Sequence, residues 1–402
     1  MIGVVDRNLV LGLGGTVDYE LRWDTGVLDR LALEYRVRRH ELTTTAPIVD
    51  ERSLLVAIIA FLASGSGAER FVASSEVIER FVSHFDYDIT LGGTGVRAGI
   101  ALDRLGIGSI QHLVSIDENV RRLLPPSISY VSSAVEDTLD PHLIIQYPAG
   151  ARARMLDGDV VSPAPNRLIF ANDPPNREMA IAADLPAALA DASAFLISGF
   201  NTMQDHELLE RRLDELEQAM RSLPDGALVF YEDAGFYVRD YAETVRARLL
   251  PRIDVYSMNE DELQEYCGRA VNLLDARSIV GALDEVAARI PVPALVVHTR
   301  YWAIAIGPQA RQHREALDSA VRVAATRYRL GDRFTADDVD GTAGMRRHDG
   351  GAAVIAALEA SREDIAGVAG FALDVASPTT VGLGDSFVGG FLAVSSQVGT
   401  HR

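Results

Sequence analysis

Short apolar runs that favour strands alternate with amphipathic helical patterns along most of this chain, and this alternation constrains its fold more than any other feature. Five runs are predicted as strands, several of them apolar on both faces: LVLGLG, AFLISGF, ALVFYED, DVYSMN and ALVVHTRYWAIAIG. Strands of this kind, joined by helices, predict a doubly wound, mostly parallel α/β sheet. Ligands bind beyond the carboxyl ends of the strands in such sheets. A typical helical stripe has apolar residues three and four apart, here Leu209, Leu213, Leu216, Met220 and Leu223.

Two regions interrupt this rhythm. Residues 19–51 mix charged and β-branched positions, and residues 127–178 contain prolines and short alternating strands. We predict that these two regions form one smaller, discontinuous, β-rich lid, and that residues 1–18, 52–126 and 179–402 form the core that binds nucleotide and substrate. The apolar run Leu54–Ala63 is too short to span a bilayer and is predicted as a core helix. We expect residues 1–15 to form a buried strand rather than a signal peptide.

Composition excludes several classes of partner. The chain has 402 residues, 48% of them hydrophobic, which predicts a folded protein, a monomer or small homo-oligomer, with a substantial core. A net charge of −19 argues against nucleic acid or a membrane as partner. The single Cys267 permits no internal disulfide, which fits a cytoplasmic protein. Because the chain contains no lysine, a bound phosphate must be held by arginine, a metal ion or backbone N–H groups.

The segment VGLGDSFVGGF places one carboxylate where a glycine-rich turn becomes a helix. Gly382 and Gly384 allow a tight turn whose N–H groups approach a ligand, and the helix start favours an anion. Asp385 beside such an anion site fits phosphoryl transfer, with the carboxylate accepting a hydroxyl proton. The alternative is an ordinary helix cap. Gly389 and Gly390 lie inside the predicted helix, where glycine is unfavourable, and they indicate close packing.

In YSMNEDELQEY, a strand is predicted to end near Met258 and a helix to begin at about Asn259. Asn259 and Glu262 are three residues apart, so on a helix they share a face and could orient a hydrated magnesium ion. The alternative is a capping box, in which the two side chains bond each other's backbone.

Three further positions have a functional and a structural interpretation each. Gly92 and Gly93 precede a helix predicted from Thr94, which suits either a polar ligand or a tight turn. Asp18, predicted to follow the first strand, suits either a grip on sugar hydroxyls or a turn cap. His298 ends an apolar strand, where a structural histidine is the alternative to a ligand.

The order in which these motifs follow one another along the chain is more specific than any single motif. An early strand ending in an aspartate, then GGTGVRAGIALDRLG, ISGFNTM, NEDEL, VVHTRYWAIAIG and a late TTVGLGD, resembles the ADP-dependent glucokinase/phosphofructokinase family of the ribokinase-like superfamily. The resemblance runs from about Leu11 to Leu392. NEDEL together with VVHTRYWAIAIG favours this branch over ATP-dependent ribokinases.

The resemblance implies a magnesium-dependent sugar kinase that uses ADP, with ATP as the alternative donor. It implies that Asp385 is the catalytic base and that the amides of residues 382–385 form the anion hole. Asn259 and Glu262 match the pair that organises Mg²⁺ at the nucleotide phosphates. Arg167 resembles an arginine that reaches the site from between lid and core and neutralises the transferring phosphate.

The resemblance also assigns the two substrates. It implies that Asp18, Gly92 and Gly93 hold the sugar, and that Glu69 contacts its hydroxyls. The nucleotide is expected against a further set of positions: His298, Thr380, Val381 and Gly382.

The chain departs from the family pattern in GGTGVRAG, where Thr94 and Arg97 favour a different or phosphorylated acceptor. Glucose and fructose 6-phosphate are the first acceptors to consider. The alternatives are an ATP-dependent sugar or nucleoside kinase on the same fold and a sugar or nucleotide sensor without catalysis.

Overall fold

A computed structural model describes residues 8–375 and 379–395 of the chain. Residues 1–7, predicted above as part of a buried strand, lie outside the described residues. The described residues form sixteen strands: β1 Leu9–Leu11, β2 Thr16–Leu21, β3 Ala68–Phe71, β4 Tyr87–Gly92, β5 Ser109–Leu113, β6 Ile128–Ser132, β7 His142–Tyr147, β8 Arg152–Met155, β9 Gly158–Val161, β10 Asn166–Ala171, β11 Ala194–Ile197, β12 Leu228–Glu232, β13 Val255–Asn259, β14 Ala294–His298, β15 Trp302–Ile306 and β16 Ile365–Ala369.

Helices connect and cover these strands. The α-helices of the described residues are α1 Thr25–Glu34, α2 Glu51–Ser64, α3 Ser75–Val82, α4 Thr94–Arg104, α5 Glu118–Leu123, α6 Pro174–Glu178, α7 Leu185–Leu189, α8 His206–Ala219, α9 Arg239–Leu249, α10 Glu260–Cys267, α11 Ala276–Arg289, α12 Arg314–Leu330, α13 Ala336–Ala343, α14 Asp349–Ser361 and α15 Leu383–Ser395. Short 3-10 turns lie at Arg39–Glu41, Phe200–Thr202, Met220–Ser222, Leu250–Arg252, Ala310–His313 and Gly331–Arg333. None of the helices in the described part of the chain is long and apolar enough to cross a bilayer.

The first sheet has nine strands in the order β16-β15-β14-β13-β12-β11-β1-β5-β6. The pairs from β14 to β6 are parallel, and β15 and β16 add an antiparallel edge. One buried cluster packs α8, α9, α11 and α14 on one face, and another packs α4, α12 and α15 on the opposite face. The predicted doubly wound α/β core is confirmed, and its parallel strands are buried on both faces as their sequences indicate.

One predicted strand is a hairpin. The run ALVVHTRYWAIAIG forms β14 and β15, which pair antiparallel across a turn whose Thr299 N–H donates to the Trp302 carbonyl. The turn places His298 at the end of β14. The helical stripe is confirmed in α8, where Leu209, Leu213 and Leu216 are buried. Leu223 follows the helix and caps a 3-10 turn.

The second sheet has five strands in the order β3-β10-β7-β2-β4 and corrects the predicted boundaries of the lid. Residues 52–92, predicted within the core segment 52–126, contribute β3 and β4 to this sheet, and α3 and all but the first residue of α2 to its buried cluster. Strand β2 also belongs here, so Asp18 lies within a strand of the second sheet and not at the exit from the first. Conversely, β6 pairs with β5 in the first sheet, although it falls in the predicted lid segment 127–178.

The physical reason lies in α2. Its nine consecutive residues Leu54–Leu62 are all buried, so an apolar face is available in every direction. Such a helix packs equally well on either sheet, and its sequence carries no information about which one it covers. The chain passes between the two sheets four times, after β1, β4, β6 and β10.

Candidate active site

The glycine turn before α15 is held by contacts that leave no space for side chains. Gly382 has a φ of +69°, and a Cβ atom on it would lie 2.7 Å from Arg97 Cδ and 3.1 Å from Asp385 Oδ2. The backbone N–H and the hydroxyl of Ser386 both donate to the Gly382 carbonyl, each at 3.0 Å. Asp385 therefore lies half-buried in the first turn of α15, directly beside the glycine turn.

The helix that follows is seated by its two internal glycines, as their position predicts. A Cβ atom on Gly389 would lie 2.6 Å from the Ala98 carbonyl oxygen of α4. A Cβ atom on Gly390 would lie 2.8 Å from Ala320 Cα of α12. The two glycines thus let α15 sit closely between α4 and α12, which fixes the position of its first turn.

Arg97 joins two residues that the sequence analysis treated separately. Its Nη2 donates to Asp18 Oδ2 at 2.8 Å and to Glu20 Oε1 at 3.3 Å. The Thr16 hydroxyl donates to Asp18 Oδ1 at 2.7 Å, so both oxygens of Asp18 are engaged. Arg97 is 6% exposed and Asp18 is 4% exposed. Burial alone would lower the pKa of Arg97, but the charges of Asp18 and Asp385 outweigh burial and raise it.

Gly92 lies against this ion pair, and Gly93 lies against the backbone of Gly14 and Gly15, just before β2. A Cβ atom on Gly92 would come within 2.4 Å of Asp18 Oδ2, and one on Gly93, whose φ is +89°, within 2.9 Å of Gly15 Cα. Thr94 is the first residue of α4, as predicted. The predicted acceptor residues Asp18, Gly92 and Gly93 therefore form one surface of contact.

Glu69 lies on β3 of the same sheet, beside a histidine that the sequence analysis missed. The Tyr237 hydroxyl donates to Glu69 Oε2 at 3.5 Å. His142 pairs with Asp18 in register and bonds Asp173 Oδ2 through Nε2 at 2.9 Å. Burial lowers the pKa of His142, but the bond to Asp173 and the charges of Asp173, Asp18 and Glu69 raise it. A lone histidine within a strand gives no sequence signal of this placement.

Asn259 and Glu262 form a capping box at the start of α10. The Asn259 side chain accepts from the N–H groups of Asp261 and Glu262 at 2.7 and 3.3 Å. Glu262 Oε2 in turn accepts from the Asn259 N–H at 2.7 Å. The capping box, which was the structural interpretation of this pair, is therefore present. It engages one carboxylate oxygen of Glu262 and leaves the other oxygen outside the box.

Glu232, at the carboxyl end of β12, was not identified from the sequence. Its Oε1 lies 3.1 Å from His298 Nε2, and the His298 ring stacks on Phe387 of α15 at 4.5 Å. A Cβ atom on Gly384 would lie 3.5 Å from His298 Cε1 and 4.0 Å from Glu232 Oε1. Burial lowers the pKa of His298, but its bond to Glu232 and the nearby carboxylates raise it. The signal for Glu232 was the acidic end of ALVFYED.

The carboxylates of Glu262 and Glu232 fit a magnesium ion that takes only some of its ligands from the protein. Burial, with the charges of Glu232 and Asp233, raises the pKa of Glu262 to about 8 against the bond from the Asn259 N–H. Glu232 Oε2 is buried and has no hydrogen-bond partner among the residues that the structure describes. Among the described residues no group of three or more His, Cys, Asp or Glu side chains encloses a metal site. Mg²⁺ characteristically uses one or two carboxylates, water and substrate phosphates, which suits this incomplete oxygen set.

The segment before the glycine turn contacts the second sheet and helix α12, which packs on the first sheet. The Thr380 hydroxyl donates to Gln146 Oε1 on β7 at 2.7 Å, and Gln146 lies opposite Arg167 on β10. Val381 is buried, and its carbonyl accepts from Arg327 Nη1. The structure therefore brings Arg167, Thr380 and Val381 to the same junction between the sheets.

Comparison with known proteins identifies the family. Residues 7–346 match the family described as the ADP-specific phosphofructokinase/glucokinase conserved region. The chain belongs to the ADP-specific phosphofructokinase/glucokinase family. It is therefore a phosphotransferase of the ADP-dependent sugar kinase class. No curated protein sequence matches the chain.

Solved structures of ADP-dependent kinases share the fold over nearly the whole chain. A hypothetical ADP-dependent phosphofructokinase from Pyrococcus horikoshii OT3 has a TM-score of 0.76 at 17% identity, covering 98% of each chain. A last common ancestor of ADP-dependent phosphofructokinases from Methanosarcinales has a TM-score of 0.71 at 15% identity, covering 99% of this chain and 95% of that one. An ADP-dependent kinase complexed with fructose-6-phosphate and ADPβS has a TM-score of 0.68 at 14% identity, covering 98% and 94%.

The family match ends before the glycine turn. Residues 382–385 lie outside the matched segment 7–346 of this ADP-specific kinase, so the placement of Asp385 rests on the structure itself. That placement sets Asp385 and Arg97 on one side of the turn and Glu232 and His298 on the other.

Proposed function

We propose that this protein is a magnesium-dependent kinase that transfers the terminal phosphoryl group of ADP to a hydroxyl of glucose or of a sugar phosphate such as fructose 6-phosphate. The observation that carries the proposal is the position of Asp385. It lies beside the backbone N–H groups of a glycine turn, with the acceptor surface around Asp18 on one side and the carboxylates near Glu262 on the other. Family membership supports ADP as the donor.

In this mechanism Asp385 accepts the proton of the acceptor hydroxyl as that oxygen attacks the terminal phosphorus in line. The N–H groups of residues 382–385 stabilise the transferring phosphoryl group, because backbone amides at the start of a helix attract an anion. Arg167 adds a positive charge from the second sheet. In a chain without lysine, a guanidinium is the side chain available for that task.

Glu262, Asn259 and Glu232 would hold magnesium at the nucleotide phosphates, and His298, Thr380 and Val381 would border the nucleotide. A bound magnesium ion supplies charge neutralisation between the phosphates. On this chain, Asn259 fixes one oxygen of Glu262 through the capping box, and His298 fixes one oxygen of Glu232.

On the acceptor side, Asp18 and Gly92 provide the floor and Glu69 provides a carboxylate for hydroxyls. Closure of the second sheet over the first would exclude water from the reaction. A structurally similar kinase was captured with fructose-6-phosphate and ADPβS, which makes fructose 6-phosphate an acceptor to test beside glucose. Arg97 is the cation nearest the acceptor surface and supports a phosphorylated acceptor.

The test is phosphoryl transfer from ADP with magnesium to glucose and to fructose 6-phosphate, with ATP run in parallel. We expect AMP and a sugar phosphate as products. Asp385→Asn should lower kcat by roughly 10²–10⁴-fold, because the amide cannot accept the proton, while nucleotide binding persists. Asp191→Asn, an exposed position before β11, is the matched control and should be unchanged.

Three outcomes would revise the proposal. Turnover with ATP alone would keep Asp385 as base and overturn the donor. Wild-type turnover by Asp385→Asn would remove Asp385 from the mechanism. Nucleotide binding without turnover on either acceptor would favour the sensor.

A further inference from the structure

A cavity of about 160 Å³ lies behind the glycine turn, between α4, β4 and the start of α15. Its walls are largely apolar, and neither Glu232 nor His298 lines it. Three arginines do: Arg97, Arg104 and Arg327. Asp332 is the one acid in the lining and pairs with Arg327, while Asp18 and Glu20 pair with Arg97 from outside the lining.

The two buried arginines keep donors that the protein does not use. Arg97 is 6% exposed and Arg327 is 3% exposed. Arg97 donates through Nη2, whereas Arg327 donates through Nε to Asp332 and through Nη1 to the Val381 carbonyl. Within the described residues, Nε and Nη1 of Arg97 and Nη2 of Arg327 donate no hydrogen bond. None of these three nitrogen atoms is fully buried, so each keeps some exposed surface.

Arg104 adds a third guanidinium at the rim. It is the last residue of α4, it is exposed, and in the part of the chain that the structure describes it forms no ion pair. A planar guanidinium matches the oxygens of a tetrahedral oxyanion, and apolar walls strengthen that attraction by excluding water. The cavity is small, and its size suits a small ion.

We propose that this cavity binds a small phosphate anion, separate from the phosphates of donor and acceptor, and that the bound anion stabilises the glycine turn. The link to the turn is direct on two sides. Arg327 donates to the Val381 carbonyl, and Arg97 Cδ packs on Gly382. Ser386, whose hydroxyl bonds the Gly382 carbonyl, also lines the cavity. An anion held by both arginines would therefore fix the residues that shape the anion hole. That consequence for catalysis rests on the proposed function, whereas the binding does not.

The test measures binding of inorganic phosphate to the full chain by calorimetry, without sugar or nucleotide. Arg104→Glu removes a rim donor and adds a repelling charge, so it should weaken phosphate binding at least about tenfold. Arg211→Ala, an exposed arginine of α8 that forms no ion pair among the described residues, is the control and should bind like wild type. Hydrogen exchange of a peptide spanning residues 381–386 should slow with phosphate in wild type but not in Arg104→Glu.

Each outcome decides the proposal. If phosphate did not bind, the proposed site would be wrong. If Arg104→Glu and wild type bound phosphate equally, the phosphate would bind elsewhere, and the proposed site would again be wrong. Binding without slower exchange in residues 381–386 would overturn the link to the turn. Asp385→Asn should bind phosphate at least as tightly as wild type, because it removes a negative charge that acts on Arg97, so this site and the proposed catalysis fail independently.

Discussion

Arg97 is a buried charge whose balance depends on three carboxylates, Asp18 and Glu20 of β2 and Asp385 of α15. Removing one partner of such a pair leaves the others buried and uncompensated, which costs about 3–5 kcal/mol of stability. Arg97→Met should therefore lower the free energy of unfolding in urea by about that amount. Adding Asp18→Asn to Arg97→Met should restore part of the loss, because it removes one stranded charge.

The control for Arg97→Met is Arg104→Met, seven residues later on the same helix. Arg104 is exposed, so its loss should change stability by less than about 0.5 kcal/mol. Equal effects of the two substitutions would show that the ion pair with Asp18 contributes nothing to the fold.

His112 makes the fold sensitive to acid. It is fully buried, its Nε2 accepts from the Ala182 N–H at 2.9 Å, and burial lowers its pKa to about 4 from an ordinary value near 6.5. Between these two values the unfolded chain binds a proton that the native state does not, so stability falls as the pH drops from about 6.5 to 4. The full effect is about 3 kcal/mol.

His112→Gln should remove that part of the pH dependence, since a glutamine oxygen can accept from Ala182 without titrating. Urea unfolding at pH 7 and pH 5 measures the difference. His40→Gln, at an exposed position, should leave the pH dependence as it is in wild type. His313 is also buried with its pKa lowered to about 4, so some acid sensitivity should persist.

At the scale of elements, the close packing of α15 against α4 depends on the absence of a side chain at Gly389. Alanine is about 1 kcal/mol better than glycine in a helix, yet a methyl group here would lie 2.6 Å from the Ala98 carbonyl oxygen. Gly389→Ala should lower the free energy of unfolding by about 1–3 kcal/mol, because α15 must shift away from α4. Activity should fall with it, since Asp385 moves with the helix.

Gly281→Ala supplies the matched comparison for Gly389→Ala. Gly281 is exposed within α11, and no atom lies within 4 Å of the added methyl group. Its substitution should raise stability by about 0.4–1 kcal/mol. A stabilising Gly389→Ala would mean that α15 is not held closely against α4.

The elements of the first sheet were predictable because local patterns encode them. The runs of β1, β11, β12 and β13 are apolar on both faces, and that pattern is specific for buried parallel strands. The seat of α15 was also predictable, since Gly389 and Gly390 are unfavourable in a helix without close neighbours.

The remaining features depend on contacts between distant segments, which local patterns do not encode. The apolar helix α2 would fit either sheet, so its sheet was predicted wrongly. The pairing of Arg97 with Asp18 joins residues 79 positions apart. Acidic residues commonly stand at the end of a strand, so the sequence alone does not mark Glu232 as a site residue. Its contacts with His298 and Gly384 in the folded chain do so.

At the scale of the whole molecule, few side chains bridge the two sheets at the cleft. Tyr237, on the loop after β12, stacks on Phe71 of β3 at 4.3 Å and donates to Glu69. An aromatic pair contributes about 1 kcal/mol beyond the area that it buries. If the second sheet closes over the acceptor, Tyr237→Ala should raise the KM for the acceptor roughly fivefold and lower the free energy of unfolding in urea by about 1 kcal/mol.

Tyr237→Phe keeps the aromatic pair and removes the bond to Glu69, so it separates the two contacts. A KM near wild type in Tyr237→Phe, with a raised KM in Tyr237→Ala, would assign the effect to the ring. A KM unchanged in both variants would contradict a closing role for this loop.

The four crossings between the sheets have a consequence for synthesis on the ribosome. Strand β1 cannot pair until β5 and β11 have been translated, and β2 cannot pair with β7 until β7 has been translated. Within the described residues, β10 is the one strand that pairs with β3. The second sheet therefore cannot be finished until β5 and β6 of the first sheet have been translated, and the first sheet cannot be finished until the whole second sheet has been. The apolar α2 emerges long before Ala171 completes the sheet that covers it. A nascent chain in that state exposes an apolar helix to solvent, and such exposed apolar surface is what chaperones bind.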